Sequence, residues 1–195
     1  MDASIVKSPR SVDPDLSHEV AATFMAASST QRDDLVFAAY GQLESQSDEF
    51  FDRFTRDGSR SSTIEVRFTR CGTPYDSDEE MVRAVRSERV LEVSSAATER
   101  DRLHPLMDCT FGGAYDRFRA VHDIVGHVIP RLGFDRDGEF AAWLVQERLY
   151  RGFARWALAT ELHAEHSVRW TTGVLSDHKA VLLDRELLAR SRRSH

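Results

Sequence analysis

Apolar residues recur at helical spacing along most of this chain. The pattern predicts one helix over 15–27 and a second over 31–54, the latter carrying Leu35, Phe37, Ala38, Leu43, Phe50 and Phe54. After a loop at 57–62 the period changes: Thr63-Ile64-Glu65-Val66-Arg67-Phe68-Thr69 alternates β-formers with charges, as a half-buried strand does. Gly72-Thr73-Pro74 breaks that strand. Ser77-Asp78-Glu79-Glu80, a cap followed by early acids, opens a helix to about Arg86, and a short strand over 89–93 is expected to pair with the first. Loop-like stretches around His104-Pro105 and Phe111-Gly112-Gly113 lead into a helix with Phe118, Val121 and His122. A turn at 132–138 precedes the longest helical pattern, 139 to about 166. Its apolar residues, among them Phe140, Trp143, Leu149 and Trp156, occupy much of the circumference, which predicts a central helix. A last helix is expected over 177–190. The fold class implied is mainly α (α+β): one helical domain over 16–190 with a two-stranded β element, between a lead at 1–15 and a basic tail at 191–195.

Composition narrows the function classes. A net charge of -6 argues against a general nucleic-acid binder, whose affinity rests on Lys and Arg neutralising phosphates. Two cysteines, Cys71 and Cys109, form neither a disulfide framework nor a paired zinc motif, which fits a reducing cytoplasm. No apolar run reaches membrane-spanning length, and Asp2, Lys7, Arg10 and Asp13 interrupt any signal-like stretch, so neither a membrane nor a nucleic-acid partner is expected.

The chemistry concentrates in Ala120-Val121-His122-Asp123-Ile124-Val125-Gly126-His127-Val128-Ile129-Pro130. Imidazole is the commonest transition-metal ligand, and two histidines with one carboxylate and open positions are the ligand set of non-haem Fe(II) oxygenases. On an α-helix, positions four apart differ by about 40° but positions five apart by about 140°. The helix must therefore end or loosen between His122 and His127, and Gly126 with Pro130 suits an ending that leaves His127 just beyond it. Glutamates of the long helix are candidates for the third ligand. An acid at Glu139 is explained by the dipole of the helix start alone. Glu147 and Glu161, fourteen residues apart, would share a face, and Glu161 lies among Trp156, Ala157, Leu158 and Leu162, where a carboxylate needs a partner.

These residues resemble the His-(Asp/Glu)-x-x-Gly-His-Val-Pro motif of the pterin-dependent aromatic amino acid hydroxylases, with Ile129 inserted before the proline. The resemblance spans residues 120–165 and includes Ala159-Thr160-Glu161 at the place of that family's third iron ligand. It implies His122, His127 and Glu161 as Fe(II) ligands, and O2 with a small, aromatic or amino-acid-derived molecule as substrates. A pterin is the cofactor the family would add, although no pterin-binding residue is matched. The chain is also similar to short bacterial and phage proteins of unassigned activity that share Phe-Arg-Ala-Val-His-Asp, Gly-Glu, Ala-Trp and Thr-Glu elements, here Phe118 to Asp123, Gly138-Glu139, Ala142-Trp143 and Thr160-Glu161.

In this reading Asp123 orients a ligand imidazole, and the protein fixes the ligands and shields the substrate. Glu139, Glu147, Glu165 and His166 are the reserve ligands for a two-iron centre, while His104, His163 and His178 read as hydrogen-bonded or surface residues. The principal rival is a zinc hydrolase with Asp123 or Glu147 as general base. A non-catalytic helical binding protein is the third class.

Overall fold

The computed structural model of the protein describes residues 4–6, 10–27, 29–56, 63–70, 72–96, 103–108 and 110–193. The expected loop at 57–62, both cysteines and the two ends of the chain lie outside these residues.

Helix α1 (Pro14–Ala26) begins where Asp13 Oδ1 accepts the N–H groups of Asp15 and Leu16, with proline at the first helical position. Helix α2 (Asp34–Thr55) is capped in the same way, Asp33 Oδ1 accepting from Val36 N at 2.9 Å. Val20, Phe24, Tyr40 and Leu43 from these helices enter the main core with Phe118, Trp143, Leu158 and Leu183.

Strands β1 (Glu65–Thr69) and β2 (Val90–Ser94) pair in parallel, Val66 opposite Leu91 and Phe68 opposite Val93. Parallel neighbours need a crossover. Helix α3 (Asp78–Arg83), capped by the Ser77 hydroxyl and extended by a π-helical turn at Ala84–Glu88, supplies it. A second core forms as Leu91 and Val93 cluster with Met81, Val82, Val85, Val121, Ile124 and Val125. Helix α4 (Ala114–His122) stands between the two cores, giving Phe118 to one and Ala120 and Val121 to the other. That position buries His122. The molecule is thus mainly helical with one small sheet, the class expected from the sequence. Among the described residues no helix is long and apolar enough to cross a membrane.

The continuous helix predicted from 139 to 166 is broken. Helix α5 (Arg136–Glu147) ends, the chain turns through Gly152 at φ 62°, and α6 (Ala154–Leu158) resumes, running through a π-helical stretch at Ala159–Ala164 into α7 (Glu165–Thr172). Glutamines of α2 take over the released backbone groups: Gln42 Oε1 accepts from Phe153 N, and the Gln46 amide both accepts from Arg151 N and donates to Arg151 O. Tyr150 turns inward and bonds Ser47. Hydropathy reads the same through such a break, because the turn stays half apolar. The common face expected for Glu147 and Glu161 disappears with it. The final helix, α8, spans Arg185–Arg193 rather than 177–190. The preceding segment is irregular but buries Ala180, Val181 and Leu183, with the Thr160 hydroxyl donating to Val181 O.

Candidate metal centre

Beyond His122 the helix continues, widened. Asp123–Val128 is π-helical, and Ile129 N donates to Ile124 O at 2.9 Å, five residues back. An i→i+5 ladder brings positions five apart round to nearly one face, so His122 and His127 converge without the helix ending. Loosening rather than termination solves the spacing, and His127 sits inside the helical segment instead of beyond it. Gly126 lies in the wide turn where a side chain would crowd the His122 ring. A Cβ there would come within 3.0 Å of His122 Nδ1 and 3.1 Å of Ala142 Cβ. Gly126→Ala is therefore expected to displace the His122 ring and weaken metal binding by about 10- to 100-fold, the range found for disturbed ligand orientation. Chelator competition measures this, with circular dichroism unchanged; wild-type affinity in the variant would refute the close-approach argument.

Three buried side chains, His122, His127 and Glu139, point one donor atom each at a common place. His127 Nε2 lies 3.1 Å from His122 Nε2, and Glu139 Oε2 is 3.4 Å from His122 Nε2 and 3.3 Å from His127 Nε2. Donors bound to one ion at about 2.0–2.2 Å, with tetrahedral or octahedral angles between them, lie about 3.0–3.5 Å apart. The three separations all fall in that range.

The hydrogen bonds behind the rings say which nitrogens carry protons. His127 Nδ1 faces Leu132 O at 3.1 Å, and a carbonyl can only accept, so the proton is on Nδ1. His122 Nδ1 faces Gln146 Oε1 at 2.8 Å. A chain of bonds sets that amide: Ser47 Oγ donates to Leu43 O, Tyr150 Oη donates to Ser47 Oγ, and Gln146 Nε2 donates to Tyr150 Oη. Oε1 is left to accept from His122. With both rings neutral, each turns a bare Nε2 lone pair towards the other and towards a carboxylate, an arrangement that either a proton or a metal ion at its centre would satisfy.

Protons and metal compete for that place. Burial opposes a charge on His127, but Glu139, through its charge and hydrogen bond, outweighs it and raises the His127 pKa. Burial likewise opposes ionised Glu139, yet the charges of His166 and His127 and hydrogen bonds with His122 and His127 hold it well below the usual carboxylate value. His166 Nε2 is 3.5 Å from Glu139 Oε2, on the rim of this set rather than within it.

A cavity of about 350 Å³ opens beside the three donors, with Tyr75, Phe118, Phe134, Asp123, Glu161 and Glu165 on its walls. Glu161, the third ligand suggested by the hydroxylase resemblance, shares this cavity but does not close the histidine set. Its Oε1 accepts from Tyr40 Oη at 2.5 Å and from His104 Nε2 at 3.1 Å, while Oε2 is buried without a partner. Asp123 also lines the cavity, where burial chiefly raises its pKa; of its expected hydrogen bond to a ligand imidazole there is none. Glu147 lies elsewhere, bound by Arg192 and Arg155, so the general-base role considered for it has no geometry behind it.

Glu139, a candidate kept in reserve for a second iron, is the carboxylate that joins the histidine pair in place of Glu161. Its place in the first turn of α5 has a sufficient explanation in the helix dipole, which conceals a second role. His104, read as an ordinary histidine, is the partner of Glu161. His163 does behave as a core residue: it stacks on Trp143 with ring centroids 4.3 Å apart, and burial, then His166, lowers its pKa to about 3. Comparison with protein-family models, curated proteins and solved structures yields no match, so the centre rests on its own geometry.

Proposed function

We propose that the protein is a non-haem Fe(II) oxygenase that hydroxylates a small molecule with O2. The observation that carries this reading is the pair of Nε2 atoms 3.1 Å apart, both Nδ1 protons directed away, beside Glu139 Oε2. Two imidazoles and one carboxylate on one side of an ion leave the remaining positions for other ligands, the pattern associated with iron oxygenases. Iron bound there would supply O2 activation. The chain's own part is to fix the rings through Gln146 and Leu132, to keep Glu139 ionised, and to present the substrate. Aromatic walls at Tyr75, Phe118 and Phe134 suit a flat ring, and Arg119 and Arg169 on the same lining suit a polar or anionic substituent, which agrees with the aromatic or amino-acid-derived class implied by the hydroxylase resemblance. Transfer of one oxygen atom to substrate and reduction of the other to water requires two external electrons, from a pterin or another soluble reductant.

Reconstitution with Fe(II) without oxygen tests the reading. Iron is expected to bind in the wild type and not in His122→Ala, and added nitric oxide should give the half-integer-spin signal of an open Fe(II) position. Reductant-dependent O2 uptake with an aromatic substrate panel should follow. Tightly retained zinc with metal-dependent hydrolysis and no O2 uptake would establish the hydrolase alternative, and no metal uptake at all would exclude both.

A further inference from the structure

Across the cavity from the histidine pair the chain repeats the same device. The π-helical stretch Ala159–Ala164 contains Glu161, and Glu165 and His166 follow it by four and five residues at the start of α7. Glu161, Glu165 and His166 all line the cavity, with their donor atoms standing further apart than the 4.8 Å within which those of His122, His127 and Glu139 meet. Glu161 is 3% exposed, and its Oε2 has no hydrogen-bond partner. A buried carboxylate oxygen left empty is costly, since it forfeits hydration without replacement.

One oxygen of each carboxylate is already engaged. His104 accepts Leu106 N–H at Nδ1, so its Nε2 proton goes to Glu161 Oε1, which Tyr40 also holds. Glu165 Oε1 is held at 3.1 Å by His178 Nδ1. Each carboxylate is thus oriented through one oxygen by a histidine behind it, as metal-binding carboxylates commonly are. His166 Nε2 stands 3.5 Å from Glu139 Oε2 yet outside the group formed with His122 and His127, which puts Glu139 between the two sets.

We propose that Glu161, Glu165 and His166 form a second divalent-cation site, with Glu139 as the carboxylate shared with the first. This rests on the reading of His122, His127 and Glu139 as the first metal site. Carboxylates with one imidazole suit Mn(II) or Fe(II), and ions in paired sites stand about 3.5–4 Å apart. The centre is then dinuclear, and the resemblance-based assignment of Glu161 to the metal is met through the second ion rather than the first.

Mn(II) binding to the full chain, followed by equilibrium dialysis and electron paramagnetic resonance, tests the proposal. The wild type is expected to take up two equivalents with a spin-coupled spectrum. Glu161→Gln and, separately, Glu165→Gln should retain one equivalent with an uncoupled spectrum, the second binding step weakened at least tenfold; two variants guard against misfolding of either. Saturation of the wild type at one equivalent overturns the second site and leaves the first intact. Two coupled ions in both variants would also overturn it, as would loss of both ions from a folded Glu161→Gln, which would move Glu161 into the first site. No uptake by the wild type overturns both.

Discussion

Saturation with a divalent transition metal is expected to raise the unfolding free energy by about 4 kcal/mol when free metal stands a thousandfold above its Kd, and His127→Asn is expected to abolish most of that gain. At a fixed metal concentration the increment should grow with pH. Without metal, Glu139 has a depressed pKa in the folded state, so its contribution is present above its ordinary value of 4.5 and is lost as pH falls through the lower folded value. His127 has a raised pKa, so its contribution is complete below its ordinary value of 6.5 and is lost as pH rises through the higher folded value. The charged pair therefore supports the metal-free fold between those limits. Above them, two bare imidazole nitrogens and a carboxylate confront one another, and a metal relieves them. Urea unfolding with and without Mn(II) at a series of pH values measures the increment. A gain that shrinks from pH 6 to 8, or one that survives in His127→Asn, would show that the ion binds elsewhere.

Part of this centre could be read directly from the residues. The five-residue spacing of His122 and His127 is incompatible with a regular helix converging on one ion, and Gly126 marks where the helix must give way. The manner of yielding was not legible, because a π-turn and a helix end both use a glycine. The third donor was obscured for a different reason. An acid in the first turn of a helix, Glu139, needs no functional explanation, whereas Glu161 among apolar neighbours demands one. The structure satisfies that demand partly with Tyr40 and His104, which lie 121 and 57 residues away in sequence. The small sheet was readable from its alternating pattern, but its parallel direction depends on the α3 crossover, which local alternation does not encode. The longest helix failed because Gln42 and Gln46 of α2 satisfy the backbone of the 148–153 turn, a tertiary contact hidden from periodicity.

The fate of Glu147 yields a second large effect, on stability alone. It is the last residue of α5, beside the negative end of that helix's dipole, and its side chain is 4% exposed. An ionised carboxylate there needs cations. Arg192 of α8 provides a forked contact, Nε at 3.0 Å from both oxygens and Nη2 at 2.5 Å from Oε1, while Arg155 adds a longer one at 3.4 Å. Arg192→Met should leave the buried charge with only the half-exposed Arg155. Removing one partner of a buried pair costs about 3–5 kcal/mol, and the remaining arginine places this case near about 3 kcal/mol. For a chain of this size that corresponds to a fall of about 6–12 °C in Tm. Adding Glu147→Leu to Arg192→Met should recover much of the loss, since it removes the stranded charge, so the double-mutant cycle has a large coupling term. Metal uptake should be unchanged in Glu147→Gln, because the carboxylate serves the docking of α8 and takes no part in the cavity chemistry. An Arg192→Met variant within 0.5 kcal/mol of wild type, estimated against the ordinary scale of surface substitutions, would remove the structural assignment. Loss of metal-dependent turnover in a Glu147→Gln protein of unaltered stability would return Glu147 to the catalytic machinery.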